Sequence, residues 1–452
     1  MTMTSHAKRL VAAITGCLIL VLGLTGCLRD PNAGSRNGGT GGGEAIADNN
    51  TVDNDKKVEI LGAFGGAEKD SFVKSLQEFQ QRTGITIEYV DSSDFTTIVK
   101  TRVQGGSEPD IALFPQPGGL LELAAQNQIA PIDTYLDFDA IDRTLVPGFL
   151  ESARLNGRVY GAPMRMAVKS VVWAPKTYSQ DGYPTNVDSI QDLDKVAAEI
   201  RGKGIAPWCV GFNADQSTGW VGTDWIEEYM LRMWGPDVYD DWTSHRIPFN
   251  DERVQQAFDE FGKLILTEGN VFGGADGVIN TPFGDAMNPA FQDPPRCLLH
   301  RQGNFAYSFY PQEVQADLDN RVDVFKFPRY DGEYSGSPVL GGGDLAGLFN
   351  GNDPDAIEVM KFLSSDEFGK EWAADGGWLS PHKTFDPSNY PDETTRKIAA
   401  FAADADVFRF DGSDLMPKAV GSGTFWTGMV EWVRGTKSTK QVTDEIEASW
   451  PK

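Results

Sequence analysis

Two tryptophans lie among glycines and polar residues instead of within apolar runs. Trp220 stands between Gly219 and Gly222, and Trp426 follows Gly423 by three positions. An indole offers a large, rigid and flat apolar face at a small cost in side-chain entropy. Carboxylates, amides and guanidinium groups beside it can bind the polar rim of a ligand. We therefore expect Trp220 to lie in a loop before a helix that begins near Asp224, and to stack on a ligand.

Sequence motifs of known catalytic chemistry are absent from the chain. It contains neither a Walker Gly-Lys-Ser/Thr loop nor a Gly-x-Ser-x-Gly elbow, and residues 341–347 miss the dinucleotide-binding spacing. The histidines do not have the spacing of metal ligands; they are His6, His245, His300 and His382. Acidic residues are too numerous for one catalytic pair to be singled out. These features favour a binding protein over an enzyme, and we expect neither a cofactor nor a metal.

The N-terminus resembles that of an exported bacterial lipoprotein. Residues 6–9 carry positive charge, residues 10–24 are mostly apolar, and residues 24–27 read Leu-Thr-Gly-Cys. The apolar stretch is shorter than the roughly 20 residues that a transmembrane helix needs, which is typical of a secretion signal. The Leu-Thr-Gly-Cys run is similar to a lipobox. That resemblance implies a signal peptide over 1–26 and lipid attachment at the sulfur of Cys27.

Residues 27–56 are rich in glycine, asparagine, aspartate and serine and show no apolar periodicity. This composition predicts a flexible tether with a root-mean-square reach of roughly 30 Å. We therefore expect the folded part to work at the extracytoplasmic face of the cell membrane, which is the periplasmic side if the cell is Gram-negative.

The remaining length is enough for two domains. The formal net charge of the chain is -25, which disfavours nucleic acid as a partner because like charges repel. After export, Cys209 and Cys297 are the cysteines left in the body. An oxidising compartment favours a disulfide between them, and two free buried thiols are the alternative.

The first part of the body has the pattern strand, helix, strand, helix, strand. Residues 58–64 form the first strand, and Phe72, Leu76 and Phe79 share one face of a helix that ends at Gly84. Residues 85–89 and 109–114 then predict two further strands. Such a pattern is typical of a doubly wound α/β sheet, in which ligands bind beyond the carboxyl ends of the strands.

Several stretches carry a resemblance to a known family. Residues 78–85 read Glu-Phe-Gln-Gln-Arg-Thr-Gly-Ile, and residues 105–114 read Gly-Gly-Ser-Glu-Pro-Asp-Ile-Ala-Leu-Phe. Further matching stretches are residues 218–227, 294–305, 340–344 and 410–417. Together they resemble the solute-binding proteins of carbohydrate ABC importers, the family that includes maltose-binding protein, and within it the α-glucoside-binding group most.

This resemblance implies a two-lobed periplasmic-binding-protein (Venus-flytrap) fold, with two doubly wound α/β sheets joined by a hinge. It implies lobe one over 57–168 plus 337–380, and lobe two over 169–336 plus 381–452. A sugar would bind in the cleft between the lobes, and the closed form would dock on the transmembrane subunits of an ABC permease. The body would be held at the membrane by its lipid anchor.

The same resemblance places Trp220 and Trp426 at positions that stack on sugar, with Phe305 as a third aromatic. Arg301 is expected to donate to hydroxyls, and Asp224 either contacts hydroxyls or caps its helix. The lobe-one candidates lie near strand ends or crossings; they are Gly66, Glu68, Gln116, Arg165, Gly343, Asp344 and Trp378. We expect residues 342–344 to form a loop. Glu68 has an alternative role, which is to complement the charge of a helix N-terminus.

Other tryptophans fall on apolar helical faces or near the cysteines and are predicted to be core; they are Trp208, Trp234, Trp372, Trp432 and Trp450. Three rival functions stay open. The first is a lipid-anchored extracellular glycoside hydrolase. The second is a receptor for peptide, lipid or a metal chelate, which the richness in tryptophan disfavours. The third is a sensor subunit that does not transport.

Overall fold

The computed structural model describes residues 54–451. The predicted signal peptide, Cys27 and the tether as far as residue 53 lie outside this part of the chain. The strands are β1 (Lys57–Gly62), β2 (Thr86–Asp91), β3 (Ile111–Phe114), β4 (Arg154–Leu155), β5 (Arg158–Val159), β6 (Gly161–Val168), β7 (Val171–Pro175), β8 (Ala206–Trp208), β9 (Cys297–Arg301), β10 (Val322–Lys326), β11 (Val339–Leu348) and β12 (Phe408–Phe410).

The α-helices lie between many of the strands and at the C-terminal end of the described chain. They are α1 (Gly66–Thr83), α2 (Phe95–Gln104), α3 (Pro117–Ala125), α4 (Phe138–Thr144), α5 (Lys176–Gln180), α6 (Ile190–Gly202), α7 (Trp220–Thr243), α8 (Glu252–Ile265), α9 (Gly274–Asn280), α10 (Gln312–Gln315), α11 (Leu318–Arg321), α12 (Pro354–Leu363), α13 (Lys370–Asp375), α14 (Glu393–Ala403), α15 (Gly412–Leu415), α16 (Trp426–Val433) and α17 (Thr439–Ala448).

The first sheet has the order β12-β11-β3-β1-β2, with β6 also paired to β11. β1 runs parallel to β2 and β3, as the sequence predicts, while β11 runs antiparallel to β3 and β6. Helix α1 buries Phe72, Leu76 and Phe79 and ends at Gly84, whose φ of 73° is left-handed. The predicted β-α-β-α-β start is therefore confirmed, within a sheet that is mixed.

The second sheet has the order β10-β7-β9-β8. β7 is antiparallel to β9 and β10, whereas β8 and β9 are parallel. Helices α7 and α8 pack together over a core that contains Trp225, Tyr229 and Phe261. The fold is thus a two-lobed α/β architecture with one mixed sheet in each lobe.

The chain passes between the sheets more than once. Lys169 and Ser170 connect β6 of the first sheet to β7 of the second, and a second connection leads from β10 back to β11. The sequence predicts that residues 381–452 lie with the second sheet. Residues 381–410 depart from this prediction. The reason is that β12 pairs with β11 of the first sheet, and α14 contacts both β6 and β10.

Cys209 and Cys297 form a disulfide, which confirms that prediction. Cys209 directly follows β8 and Cys297 begins β9, so parallel strand pairing brings the two cysteines together. Both sulfur-bearing residues are buried. Within residues 54–451, we find no helix that combines the length and apolar character needed to cross a membrane.

The predicted core tryptophans divide into two groups. Trp208, Trp372 and Trp432 are buried, as expected from their apolar settings. Trp234 and Trp450 are only partly buried. Trp450 lies after the last helix and stacks on His245, with ring centroids 4.0 Å apart.

Candidate ligand-binding site at the connection between the sheets

Trp220 is the first residue of α7, so it is not in a loop as the sequence suggested. Its indole is half-buried and lies 5.2 Å from the ring of Phe283 and 6.2 Å from that of Phe305, centroid to centroid. Phe283 in turn contacts the exposed ring of Phe309 at 5.0 Å. These four rings, which we call the aromatic group, form a continuous surface.

Sequence reasoning found Trp220 and Phe305 but missed Phe283 and Phe309. Both missed residues lie in short 3-10 turns, Phe283–Asp285 and Asn304–Phe309. Such turns have no apolar periodicity that would mark their aromatic residues. The second turn is held against the connecting segment because Asn304 Oδ1 accepts a hydrogen bond from Val168 N at 2.9 Å.

Trp426 begins α16 directly after a π-helical turn, Val420–Phe425. Its indole is partly buried, and among the described residues its Nε1 has no hydrogen-bond partner. Gly219, at φ 117°, lies against the backbone of Trp426: an added Cβ would stand 2.2 Å from the carbonyl oxygen of Trp426. Glycine is therefore required where the starts of α7 and α16 meet.

Lys169 connects the aromatic group to buried carboxylates. Its Nζ lies 5.1 Å from the centroid of the Trp220 indole, which is within cation–π range. The same ammonium donates to Asp224 Oδ1 at 3.0 Å and to Asp411. Burial would lower the pKa of Lys169, but the two carboxylates outweigh it and raise the pKa. Lys169 is therefore held as an ammonium.

Asp224, Glu227 and Asp411 bring one carboxylate oxygen each within 4.8 Å of one another. Burial raises the pKa of Asp224 to about 6, against the opposing effect of Lys169 and Arg301. Burial, together with Asp411 and Asp224, raises the pKa of Glu227 well above its usual range. Because the Lys169 ammonium already supplies positive charge here, we assign no metal to this cluster.

The structure contradicts the capping role of Asp224 and places Asp224 and Arg301 in an ion network. Asp224 lies inside α7, whose N-cap is Gly219, so it does not cap the helix. Arg301 is buried and pairs with Glu228, with Nη2 and Oε1 3.1 Å apart, and more distantly with Asp224. Both side chains belong to the buried ion network that holds Lys169.

Arg165 forms the polar centre on β6. Its Nη1 lies 2.7 Å from Glu68 Oε1 and 3.6 Å from Asp344 Oδ2. The guanidinium also covers the rings of Phe64 and Trp372, at 5.4 and 5.2 Å from their centroids. Burial raises the pKa of Asp344 to about 6, although Arg165 opposes the shift.

Three lobe-one predictions are changed or refined by the backbone. Gly343 and Asp344 lie in β11, not in a loop. Gly66 is the exposed first residue of α1 with φ 54°. Glu68 lies in the first turn of the same helix and also pairs with Arg165, so its two proposed roles are compatible.

Gln116, the N-cap residue of α3, forms a hydrogen bond to α15. Its Nε2 donates to Asp414 Oδ1 at 2.8 Å, which connects the N-terminus of α3 to α15. A cavity of about 540 Å³ lies here, and its lining includes Gln116, Gly118, Ser413, Asp414, Met416 and Lys418. A volume of this size can hold a small oligosaccharide.

Trp378 is in a core, not at the cleft. Its indole is 1% exposed and packs between Phe368, Trp372 and Phe385. The apolar neighbours on several sides leave it no face for a ligand. The preceding glycines suggested an open turn. They are instead needed for the backbone conformation, because Gly376 and Gly377 both have positive φ.

Comparison with known proteins agrees with this architecture. Residues 65–370 match the family described as bacterial extracellular solute-binding protein, and the chain belongs to that family. The osmoprotective compounds-binding protein GgtB of Synechocystis is 41% identical over 398 residues, covering 88% of this chain and 93% of GgtB. The α-glucosides-binding periplasmic protein AglE of Rhizobium meliloti is 33% identical, covering 87% of this chain and 86% of AglE.

Solved structures show the same fold. The bacterial solute receptor AcbH, described as preferring β-D-galactopyranose, aligns with a TM-score of 0.73 at 18% identity over 87% of this chain and 96% of AcbH. Maltose-bound MalE3 of T. maritima aligns with a TM-score of 0.63 at 16% identity over 87% of this chain and 98% of MalE3. By family the chain is thus an extracellular solute-binding protein, and the two relatives are likewise named as binding proteins.

Proposed function

We propose that this protein binds an α-glucoside or a related oligosaccharide between its two lobes and delivers it to the transmembrane subunits of an ABC importer. One observation carries the proposal: the half-buried indole of Trp220 lies beside Lys169. Lys169 is part of the segment that connects the two sheets. A flat aromatic face next to fixed charges suits a pyranose, which has an apolar face and a rim of hydroxyls.

The name of one relative supports an α-glucoside as the ligand. AglE is named for α-glucosides, whereas GgtB is named for osmoprotective compounds. An α-glucoside carries many hydroxyl groups. A cavity between α3 and α15 gives space for such a solute.

Closure of the lobes would couple binding to delivery. Ser170 Oγ donates to Glu228 Oε1 at 2.6 Å and accepts from Leu340 N at 2.8 Å, so this residue ties the connection to α7 and to β11. A ligand that contacts both lobes would shift the population towards the closed form. The permease would then recognise that form.

Attachment to the membrane is part of the proposal. Cys27 would carry the lipid, residues 27–56 would act as the tether, and the body would work outside the cytoplasm. The lobe limits stay as expected from the sequence except for residues 381–410, which contact both sheets.

Isothermal titration calorimetry tests the proposal directly. We expect micromolar binding, about -8 kcal/mol, of at least one among maltose, trehalose, sucrose and longer α-glucans, and weaker binding of β-linked disaccharides. Absence of binding to every α-glucoside, or tighter binding of the β-linked set, would contradict it. Steady release of glucose from a bound α-glucoside would instead establish the rival hydrolase.

A further inference from the structure

Two antiparallel strands at the connection between the sheets present a row of three positions on one face. Arg165 pairs with Asp344 across β6 and β11, and Ala167 pairs with Gly342. Directly opposed residues and residues two apart point to the same face of a sheet. Exposure alternates accordingly along β6: Met164, Met166 and Val168 are buried, while Arg165 and Ala167 are half-buried.

The next position on the same side of the chain is Lys169, whose ammonium binds Asp411. A cation–carboxylate pair therefore stands at each end of the row, and the two smallest side chains lie between. Arg165 and Lys169 are four residues apart, which is roughly 13 Å along an extended chain. We call the Ala167–Gly342 pair the floor.

No described protein atom crowds the position that a Cβ would take at Gly342. This glycine is buried, yet the only atom near the position of an added Cβ is Asp411 Oδ1, at 4.0 Å. Asp411 is 2% exposed and its carboxylate pairs with Lys169 and Asp414, yet its Oδ1 accepts from no N–H or hydroxyl group among residues 54–451. A carboxylate oxygen has more than one acceptor site, so Oδ1 can take a hydrogen bond from a ligand hydroxyl.

We propose that one terminal pyranose ring of the sugar lies on the floor formed by Ala167 and Gly342, with a hydroxyl donating to Asp411 and the opposite rim facing Arg165 and Asp344. This inference rests on the proposed sugar-binding function and adds the place and size of the innermost unit. The absence of a side chain at Gly342 sets how closely the ring approaches the strand. Any further sugar units extend away from the floor, because the ion pairs close both of its ends.

Gly342→Ala gives a direct test, because the added methyl group fits the protein but occupies the ligand's place. φ at Gly342 is not in the left-handed region, so alanine is tolerated there. We expect the melting temperature to stay within about 3 °C of wild type. We expect Kd to rise at least tenfold, and by the same factor for methyl α-glucoside and for the best disaccharide.

Two glycine variants serve as controls. Gly202→Ala lies at the end of α6, where no atom comes within 4 Å of an added Cβ, and should change neither property. Gly343→Ala points to the core side, where Cβ would stand 2.2 Å from Arg165 O, and should lower the melting temperature. The two neighbouring glycines thus separate loss of binding from loss of stability.

The outcomes are distinct. Unchanged affinity in a stable Gly342→Ala protein overturns the floor as the ring site while leaving sugar binding intact. A loss confined to the disaccharide overturns the claim that the terminal unit lies there. Failure of the wild-type protein to bind any sugar would instead overturn the proposed function.

Discussion

Lys169 and Trp220 are in cation–π contact, with Nζ 5.1 Å from the centroid of the indole. Lys169 lies on the connection from β6 to β7, and its ammonium also binds Asp224 of α7 and Asp411 beyond β12. One side chain therefore touches the aromatic surface and ties together three segments at the junction of the sheets. A solute that stacks on Trp220 meets the charge that holds this junction.

We predict that Trp220→Ala and Trp426→Ala weaken sugar binding far more than they weaken the fold. Loss of a central stacked indole costs about 2–4 kcal/mol of binding free energy. That corresponds to a roughly thirtyfold to several-hundredfold rise in Kd. Calorimetry gives Kd, and thermal unfolding gives the stability of each variant.

Trp432→Phe is the matched control, because Trp432 lies on the same helix as Trp426 but packs on Phe258 and Phe261 in the core. It should lower the melting temperature and leave Kd nearly unchanged. Trp372 is less suitable, since its ring lies under Arg165. Normal binding by early-melting Trp220→Ala and Trp426→Ala proteins would show that both indoles are core residues.

Replacing Lys169 with methionine should destabilise the fold strongly. The change leaves the buried carboxylate of Asp411 without its cation and that of Asp224 with only the more distant Arg301. Breaking a buried pair from one side costs about 3–5 kcal/mol. Urea unfolding at neutral pH measures the loss. The double variant Lys169→Met/Asp411→Asn removes one uncompensated charge and should recover part of it. Equal stability of the single and double variants would argue against this pairing.

Much of the fold could be predicted because its signals are local. The faces of α1 and α8, the cap at Asp353 before α12 and the glycine at the end of α1 all follow from periodicity and capping chemistry. Each of these features depends on residues within one or two turns. The mixed pairing of β11 could not be predicted, since it depends on strands far apart in the sequence.

The site was harder to predict than the fold. Trp220 was found because glycines and polar residues surround it in the sequence. Lys169 and Asp411 were not found, because Lys169 lies between two strands and Asp411 follows a three-residue strand. Their meeting is a consequence of how the sheets connect. Trp378 was misplaced for the opposite reason: its neighbouring glycines suggested an open turn, while tertiary packing buries the indole.

The disulfide should stabilise the body. Cys209→Ser/Cys297→Ser is expected to lower the free energy of unfolding by about 2–5 kcal/mol, since the cross-link restricts the unfolded chain. Alkylation of the unreduced, denatured protein followed by peptide mapping should recover Cys209 and Cys297 in one cross-linked product. Recovery of both cysteines in alkylated form would contradict the bond in the exported protein.

Cys27 should determine where the protein fractionates. Cys27→Ala removes the only sulfur at the proposed lipidation site, so the variant should leave the membrane fraction. Immunoblotting of fractions after a high-salt wash distinguishes a lipid anchor from electrostatic adhesion. A Cys27→Ala protein that stays with the membranes would show that the lipobox prediction is wrong.

Asp344 should make stability depend on pH in a defined direction. Its pKa in the folded protein is raised to about 6 by burial, whereas an unfolded aspartate has a pKa of about 3.9. The neutral carboxyl is thus favoured by folding, so this contribution is fully present below pH of about 4 and is lost as pH rises through about 6.

Asp344→Asn keeps a neutral group at this position at every pH, so it isolates that contribution. The stability of the variant relative to wild type should improve by on the order of 1 kcal/mol between pH 5 and pH 7.5, with little further change at higher pH. Urea unfolding of both proteins across this range measures the difference, in which the other titrating groups largely cancel. Asp137→Asn, at an exposed helix cap whose side chain accepts from Ala140 N, should show a nearly constant difference from wild type over the same range. A constant difference for Asp344→Asn as well would mean that the carboxyl is ionised throughout, held so by Arg165.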